Sequence, residues 1–317
     1  MNRILITRPL PESVMRRADT LGAVTARAET MPLSGQEMVS ALRDYEIVLP
    51  TLGDLFSQKI FDQVENPQCK LLANFGVGYN HIDVSAAKDC GILVSNTPGA
   101  VTDATADIAL TLMLMTARRA GEGERLLRAG QWQGWHPTQM LGLHMSGKTA
   151  AIIGMGRIGE AIARRCHFGF GMQVIYASRS KKHMEFPATQ FPSIEDAVKN
   201  ADFVVVAVPG GTKTKHLVGQ SLFAAMPSHC IFVNISRGDV VDETALIKAL
   251  QTGQIGGAGL DVYEFEPAVP DALVQLENVT LFPHLGTASL EVRTQMGDMA
   301  LRNIKDFIAG QSPSNLV

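Results

Sequence analysis

Along the first hundred residues, short apolar runs alternate with longer polar segments. Ile4-Leu5-Ile6, Ile47-Val48-Leu49 and Leu71-Leu72-Ala73 are runs, and Pro11 to Leu21 and Gln58 to Val64 are helix-like segments between them. A strand covered on both faces reads as a continuous apolar run, whereas a helix lying on it needs only one apolar stripe. The alternation up to about Asn96 therefore predicts βαβ units and a parallel sheet clad in helices. In Ala104 to Arg118, the apolar residues Ile108, Ala109, Leu110, Leu112, Met113 and Leu114 cover every side. That pattern predicts a helix buried between layers, joining two domains.

A second βαβ series begins at Thr149 to Ile153 and continues through Gln173 to Tyr176, Phe203 to Val208, Cys230 to Ile235, Gly259 to Val262 and Val279 to Phe282. These strands suffice for a complete doubly wound unit. From Leu290 to Ile308, apolar positions Val292, Met296, Met299, Leu301, Ile304, Phe307 and Ile308 recur at helical spacing. A return of this closing helix to the first domain would make that domain discontinuous. There is no repeat at solenoid period and no low-complexity stretch.

With 317 residues, 46 % hydrophobic and 19 % charged, the chain has enough apolar material for two cores, which excludes disorder. A formal charge of -3 and a pI near 6.2 create no broad positive field, so neither nucleic acid nor an anionic membrane is the expected partner. A small molecule is. Ile108 to Met115 and Phe203 to Val208 fall well short of the roughly 18 residues that span a bilayer. The start, Met1 to Pro9, is broken by Arg3 and Pro9 and reads as a first strand rather than a signal segment. Cys69, Cys90, Cys166 and Cys230 are scattered, with no C-x-x-C pair and no histidine at ligand spacing. No disulfide and no metal site is expected, and a reducing cytoplasm suits the chain.

Gly154-Met155-Gly156-Arg157-Ile158-Gly159 lies directly after the strand ending at Ile153 and directly before Glu160 to Arg165, a good helix former. In that setting the glycines imply a dinucleotide: Gly154 for the tight turn, Gly156 for approach of the pyrophosphate, Gly159 for close packing of helix on strand. The helix N-terminus then faces the phosphates. This second domain is expected to be a Rossmann unit. At the end of its second strand, an acid would accept from the ribose of NAD(H). The chain has Tyr176-Ala177-Ser178-Arg179-Ser180-Lys181-Lys182 instead. Hydroxyls at Ser178 and Ser180, with the cations Arg179, Lys181 and Lys182, suit a 2′-phosphate, so NADP(H) is preferred over NAD(H). The competing reading is an ordinary solvated loop.

Three further loops carry isolated polar residues at strand ends. Arg237 follows the strand to Ile235 and can hold a substrate carboxylate bidentately while polarising the adjacent carbonyl. Phe282-Pro283-His284-Leu285-Gly286-Thr287 offers His284, a group able to exchange a proton near neutral pH, as reduction of a ketone requires. A carboxylate behind the imidazole would set its tautomer and favour its cation, and either Glu264 or Glu266, from Asp261-Val262-Tyr263-Glu264-Phe265-Glu266-Pro267, can serve.

These motifs, with Asn74 to Asp83, Asn96-Thr97-Pro98 and Thr105-Ala106-Asp107, resemble the D-isomer-specific 2-hydroxyacid dehydrogenase family over nearly the whole chain. Within it the chain is most similar to the glyoxylate/hydroxypyruvate reductases. The resemblance implies two doubly wound parallel-sheet domains: a flavodoxin-like, discontinuous substrate domain of residues 1–99 and 287–317, and a cofactor domain of residues 100–286, with the nicotinamide in a cleft between them. It also implies a homodimer. Arg237 would bind substrate, His284 would be the general acid/base, and Glu266 its partner. Val77 and Gly78 would offer backbone N–H groups to the substrate carboxylate. Thr105, Arg157, Ile158, Val208, Pro209, Ile235, Ser236, Asp261, His284 and Gly286 would line the cofactor, and His284 would touch substrate as well. Two departures from the family stand out: Asp107 where relatives commonly have Glu, and the loop Gln131 to Leu143 with Trp132, Trp135, His136 and Met140, which matches no single substrate class.

The expected activity is reduction of a small 2-ketoacid such as glyoxylate or hydroxypyruvate, with 2-ketogluconate as the alternative substrate. Long-form phosphoglycerate dehydrogenase is disfavoured because only about thirty residues follow His284. Formate dehydrogenase is disfavoured because formate has no hydroxyl to deprotonate. A corepressor-like dinucleotide sensor would need none of Arg237, Glu266 and His284.

Overall fold

Apolar runs three to five residues long become central strands in two separate parallel sheets. The computed structural model describes residues 2–317; Met1, with which the opening strand was begun, lies outside them. The first sheet contains β1 (Arg3–Ile6), β2 (Ala23–Ala26), β3 (Ile47–Leu49), β4 (Leu71–Ala73) and β5 (Leu93–Ser95) in the order β2-β1-β3-β4-β5. That is the flavodoxin-like winding. Alternate residues face opposite ways and both faces are covered: Leu5, Val48, Leu72 and Val94 pack on one side, and Ile4, Ile6, Ile47, Leu49 and Leu71 on the other. The second face is closed by the Leu290–Ile308 helix through Ala300, Leu301 and Ile304.

The second sheet holds β6 (Thr149–Ile153), β7 (Gln173–Ala177), β8 (Ala188–Phe191), β9 (Phe203–Val206), β10 (Ile231–Asn234), β11 (Gly257–Leu260) and β12 (Val279–Leu281). Its order is β12-β11-β10-β9-β6-β7-β8, all parallel, which is Rossmann winding with one added edge strand. The order of the strands reverses between β6 and β9, and ligands of open α/β sheets bind beyond the carboxyl ends of the strands at such a point. The chain divides into two compact units, one running up to Val101 and resuming from Ala288 to Val317, the other Thr102–Thr287.

Three strands lack the apolar signature. β2 and β8 are edges with mostly accessible residues, and β5 is a three-residue edge, so none needs an unbroken apolar run. β11 begins at Gly257, two residues before the expected Gly259. Its glycines admit the Thr102–Ala117 helix: a Cβ on Gly259 would come within 2.8 Å of Leu112 Cβ, and one on Gly257 within 3.0 Å of Thr116 Cγ2. Glycine in this strand thus serves close helix-on-sheet packing. The helix expected over Gln58 to Val64 is the single turn Gln58–Phe61. Among the described residues, no helix is long and apolar enough to cross a membrane, and no group of three or more His, Cys, Asp or Glu side chains is placed to hold a metal.

Candidate active site

The glycine turn follows from local sterics. Gly154 leaves β6 at φ 97°, and a Cβ there would lie 2.8 Å from the Ala207 carbonyl and from Val208 Cγ1. A Cβ on Gly159 would come within 2.1 Å of Gly154 O, so the Arg157–Phe170 helix sits directly on the turn. Gly156 differs, because nothing lies within 4 Å of where its Cβ would point. Two glycines thus make room for the protein's own backbone, and the third leaves open space at a helix N-terminus that no side chain caps. A dinucleotide pyrophosphate fits this cradle.

Beyond β7, Arg179, Ser180 and Lys181 are exposed, and among the described residues Arg179 and Lys181 have no acidic partner. Ser178 Oγ donates to Ser180 O at 2.6 Å, so its proton closes the turn and the hydroxyl can only accept. Val208 is half-buried and Pro209 exposed at the head of β9, next to Gly154.

At the heads of β10, β11 and β12 the three polar loops interlock. Asn234 Oδ1 accepts from the Ser236 N–H and hydroxyl (3.0 and 2.8 Å), and Asn234 Nδ2 donates to Arg237 O at 3.0 Å. Arg237 is half-buried, with one guanidinium nitrogen 2.6 Å from Ser236 O. Burial lowers the guanidinium from its usual value, against the opposing charges of Glu266 and Asp239. Gly238 lies flat on the next loop, since a Cβ there would fall 1.8 Å from the Tyr263 carbonyl carbon.

The choice between Glu264 and Glu266 falls to Glu266. Its Oε2 accepts from His284 Nδ1 at 2.9 Å and its Oε1 from the Tyr263 N–H at 3.1 Å. A carboxylate only accepts, so Nδ1 carries hydrogen and Nε2 is the nitrogen left to exchange a proton. Burial would raise the Glu266 carboxyl, but the hydrogen bond and charge of His284, the Tyr263 amide and Arg237 hold it below the ordinary carboxylate range. The two side chains are 28 % and 32 % exposed, sheltered yet reachable. Glu264 turns away and pairs with His216 at 2.7 Å, a partner that sequence reasoning left unassigned.

Asp261, 1 % exposed, anchors the His284 loop. Its carboxylate accepts from Leu285 N (2.6 Å) and Gly286 N (2.8 Å), and its carbonyl from His284 N (3.0 Å). Burial pushes its carboxyl up, against those amides and the charge of His284. Thr105 Oγ1 donates to Gly286 O at 3.2 Å, so Thr105, Asp261 and Gly286 form one buried network, with Ile235 and Ser236 also buried nearby in sequence to Arg237. The unusual Asp107 does reach a specific partner: Arg165 meets it at 2.8 Å and Asp103 at 3.0 Å, tying two helices of this unit together.

In the other unit, Val77 and Gly78 follow β4 on a loop organised by buried Asn74. Asn74 Nδ2 donates to Gly76 O and Gly78 O (3.1 and 3.0 Å), and Asn96 Nδ2 to Val77 O at 2.9 Å. With the carbonyls so held, the Val77 and Gly78 N–H groups make no hydrogen bond among the described residues. Asn74 and Asn96 carry no role that their motifs reveal; the folded loop shows that they hold its carbonyls.

The chain is similar to known proteins along nearly its whole length. The profile of the D-isomer specific 2-hydroxyacid dehydrogenase, NAD binding domain, matches residues 110–286. The chain belongs to the D-isomer-specific 2-hydroxyacid dehydrogenase family of oxidoreductases. It is 41 % identical to a glyoxylate reductase of Thermococcus kodakarensis, covering 99 % of this chain and 96 % of that one. It is 38 % identical to a glyoxylate reductase of Pyrococcus horikoshii over 99 % and 95 % of the two chains. A crystal structure of an NADPH-dependent glyoxylate/hydroxypyruvate reductase from Sinorhizobium meliloti, in complex with NADP and malonate, superposes with a TM-score of 0.88 at 34 % identity, over 100 % of this chain and 96 % of that one.

Proposed function

We propose that the protein is an NADPH-preferring reductase of small 2-ketoacids, glyoxylate and hydroxypyruvate first among them, acting through Arg237, His284 and Glu266. The single observation that carries this reading is the 2.9 Å pair between His284 Nδ1 and Glu266 Oε2, at the same carboxyl end of the sheet as the glycine turn. The bound dinucleotide supplies the hydride. Gly154 to Gly159 would hold its pyrophosphate, Ser178, Arg179 and Ser180 its ribose end, and Thr105, Val208, Pro209, Ile235, Ser236, Asp261, His284 and Gly286 its remainder.

The guanidinium of Arg237 binds the substrate carboxylate and polarises the ketone, whose oxygen gains negative charge as the reaction proceeds. His284 delivers a proton from Nε2 to that oxygen, and Glu266 stabilises the imidazolium that donates it. The free amides of Val77 and Gly78 are suited to a carboxylate. The names of the relatives support glyoxylate as substrate, and the unpaired Arg179 and Lys181 support the extra phosphate of NADPH.

The four cysteines are free thiols, in keeping with a reducing cytoplasm. Trp132, Trp135 and Leu141, in the loop with no single substrate class, are 50 %, 79 % and 67 % exposed, and the family resemblance supports a homodimer. Absorbance at the reduced-nicotinamide band, followed with NADPH and NADH against glyoxylate, hydroxypyruvate and 2-ketogluconate, tests the proposal. Consumption of NADPH with the short ketoacids is the expected result. No consumption with any ketoacid would return the chain to the class of dinucleotide-binding sensors.

A further inference from the structure

Glu243 is a buried acid that the chemistry above leaves unused. It opens the Glu243–Gln251 helix, yet capping of that helix falls to its neighbour: the Asp242 side chain accepts from the Ala245 N–H at 3.0 Å. Glu243 is only 6 % exposed. Its Oε1 accepts from the Glu264 N–H at 2.9 Å, while Oε2 is buried without a hydrogen-bond partner among the described residues. Burying a carboxyl with a lone oxygen unsatisfied is costly, so such a group calls for a reason.

The peptide that donates this bond lies in the middle of the carboxylate turn. Gly238 presses on the Tyr263–Glu264 peptide from the Arg237 side, at backbone contact distance. Glu243 holds the amide of the same peptide. Just before it in the chain, the Tyr263 N–H donates to Glu266 and the Tyr263 hydroxyl donates to Phe282 O at 2.9 Å, next to the His284 loop. Tyr263 and the peptide that follows it therefore meet the guanidinium loop, the carboxylate and the strand leading to the histidine.

We propose that Glu243 is a positioning residue which, by accepting from the Glu264 amide, fixes the turn so that Glu266 meets His284. The proposal rests on the reductase reading of that pair. The groups facing Glu243 are Glu264, itself paired with His216, then Glu266, paired with His284, and the Tyr263 phenol. Burial pushes the Glu243 carboxyl up, with the charges of Glu264 and Glu266 adding to it and the Glu264 amide opposing. What the Glu264 amide needs is an acceptor oxygen at this reach, and a glutamine side chain also supplies one.

The test compares two conservative variants of the full-length enzyme. Glu243→Gln keeps an acceptor at the same reach, and turnover of NADPH with glyoxylate should stay within about twofold of the parent. Glu243→Asp keeps the carboxyl but shortens its reach by a methylene, and kcat should fall about tenfold with KM little changed. In the aspartate variant the acid limb of the kcat profile should move up in pH, as Glu266 loses the geometry that depresses its carboxyl. Amide hydrogen exchange by mass spectrometry gives a readout independent of activity: peptides spanning 261–267 should exchange faster in Glu243→Asp and at the parental rate in Glu243→Gln. Parental kcat and exchange in Glu243→Asp would overturn the proposal, as would equal losses in both variants. An inactive parent marks failure of the reductase reading itself, whereas an active parent with unmoved variants marks failure of this inference alone.

Discussion

The glycine turn after β6 and the polar cluster beyond β10 to β12 lie at the same carboxyl end of one parallel sheet but are built from opposite materials. The turn is backbone, shaped by what its glycines lack. The cluster is side chain, and Arg237, Glu266 and His284 come from three loops that only the parallel order β12-β11-β10 sets side by side. A backbone site fails when atoms are added, because it has no slack. A side-chain site fails when atoms are removed, because each group has its own chemical duty.

The sharpest way to break the contrast is His284→Ala. Without the proton donor, kcat for ketoacid reduction should fall by roughly two to four decades while NADPH affinity, read by fluorescence titration, holds. Near-parental turnover would remove His284 from the chemistry. Gly238→Ala comes next and crosses the two categories, since it adds an atom inside the side-chain cluster. With Tyr263 C only 1.8 Å from the new Cβ, the turn must shift, and kcat/KM should fall by roughly two decades with a loss of about 1–3 kcal/mol in stability. Steady-state kinetics with thermal melting checks both, and an unchanged kcat/KM would mean that the contact does not align Arg237 with Glu266.

Within the glycine turn itself, two alanine substitutions should separate. Gly159→Ala places a methyl 2.1 Å from Gly154 O and should cost about 1–3 kcal/mol even without cofactor. Gly156→Ala meets no protein atom, so the melting temperature should hold while NADPH binding weakens about tenfold. Equal melting temperatures for the pair would show that both glycines serve the ligand alone. Arg179→Ala should weaken NADPH about tenfold and leave NADH nearly untouched, as losing one charge-assisted contact to phosphate implies. Equal losses for both cofactors would mean that the 2′-phosphate is not read there.

The same contrast governs how much was legible in the residues alone. Gly154 to Gly159 is six consecutive positions between an apolar strand and a helix former, so its meaning is local. The central strands are legible because burial on both faces leaves unbroken apolar runs; edge strands β2 and β8, open to solvent, carry none. Arg237 and His284 stand out as polar residues at strand ends. Glu264 and Glu266 are two apart on one turn, and what separates them is tertiary: His216 draws the first, and His284 with the Tyr263 amide draws the second. Glu243 is silent for a related reason. Next to Asp242 at a helix start, it reads as one more acid favourable to the dipole, and its contact with Glu264 lies 21 positions away.

The smallest effect concerns the charge pair itself. The Glu266 carboxyl is held below its ordinary value of 4.5, because His284, the Tyr263 amide and Arg237 outweigh burial. A depressed carboxyl stabilises the fold fully above its unfolded value, and that contribution disappears as pH falls through the lower, folded value. The pair is about a third exposed, so solvent screening limits the gain to a few tenths of a kcal/mol up to about 1 kcal/mol. Parent and Glu266→Gln melting temperatures should therefore differ by a constant amount from neutrality down to about pH 5, then converge below 4.5 as the parental carboxylate takes up its proton. A gap that persists unchanged to pH 3 would mean that Glu266 contributes by packing or hydrogen bonding alone, and the side-chain cluster would lose the charge that distinguishes it from the turn of glycines.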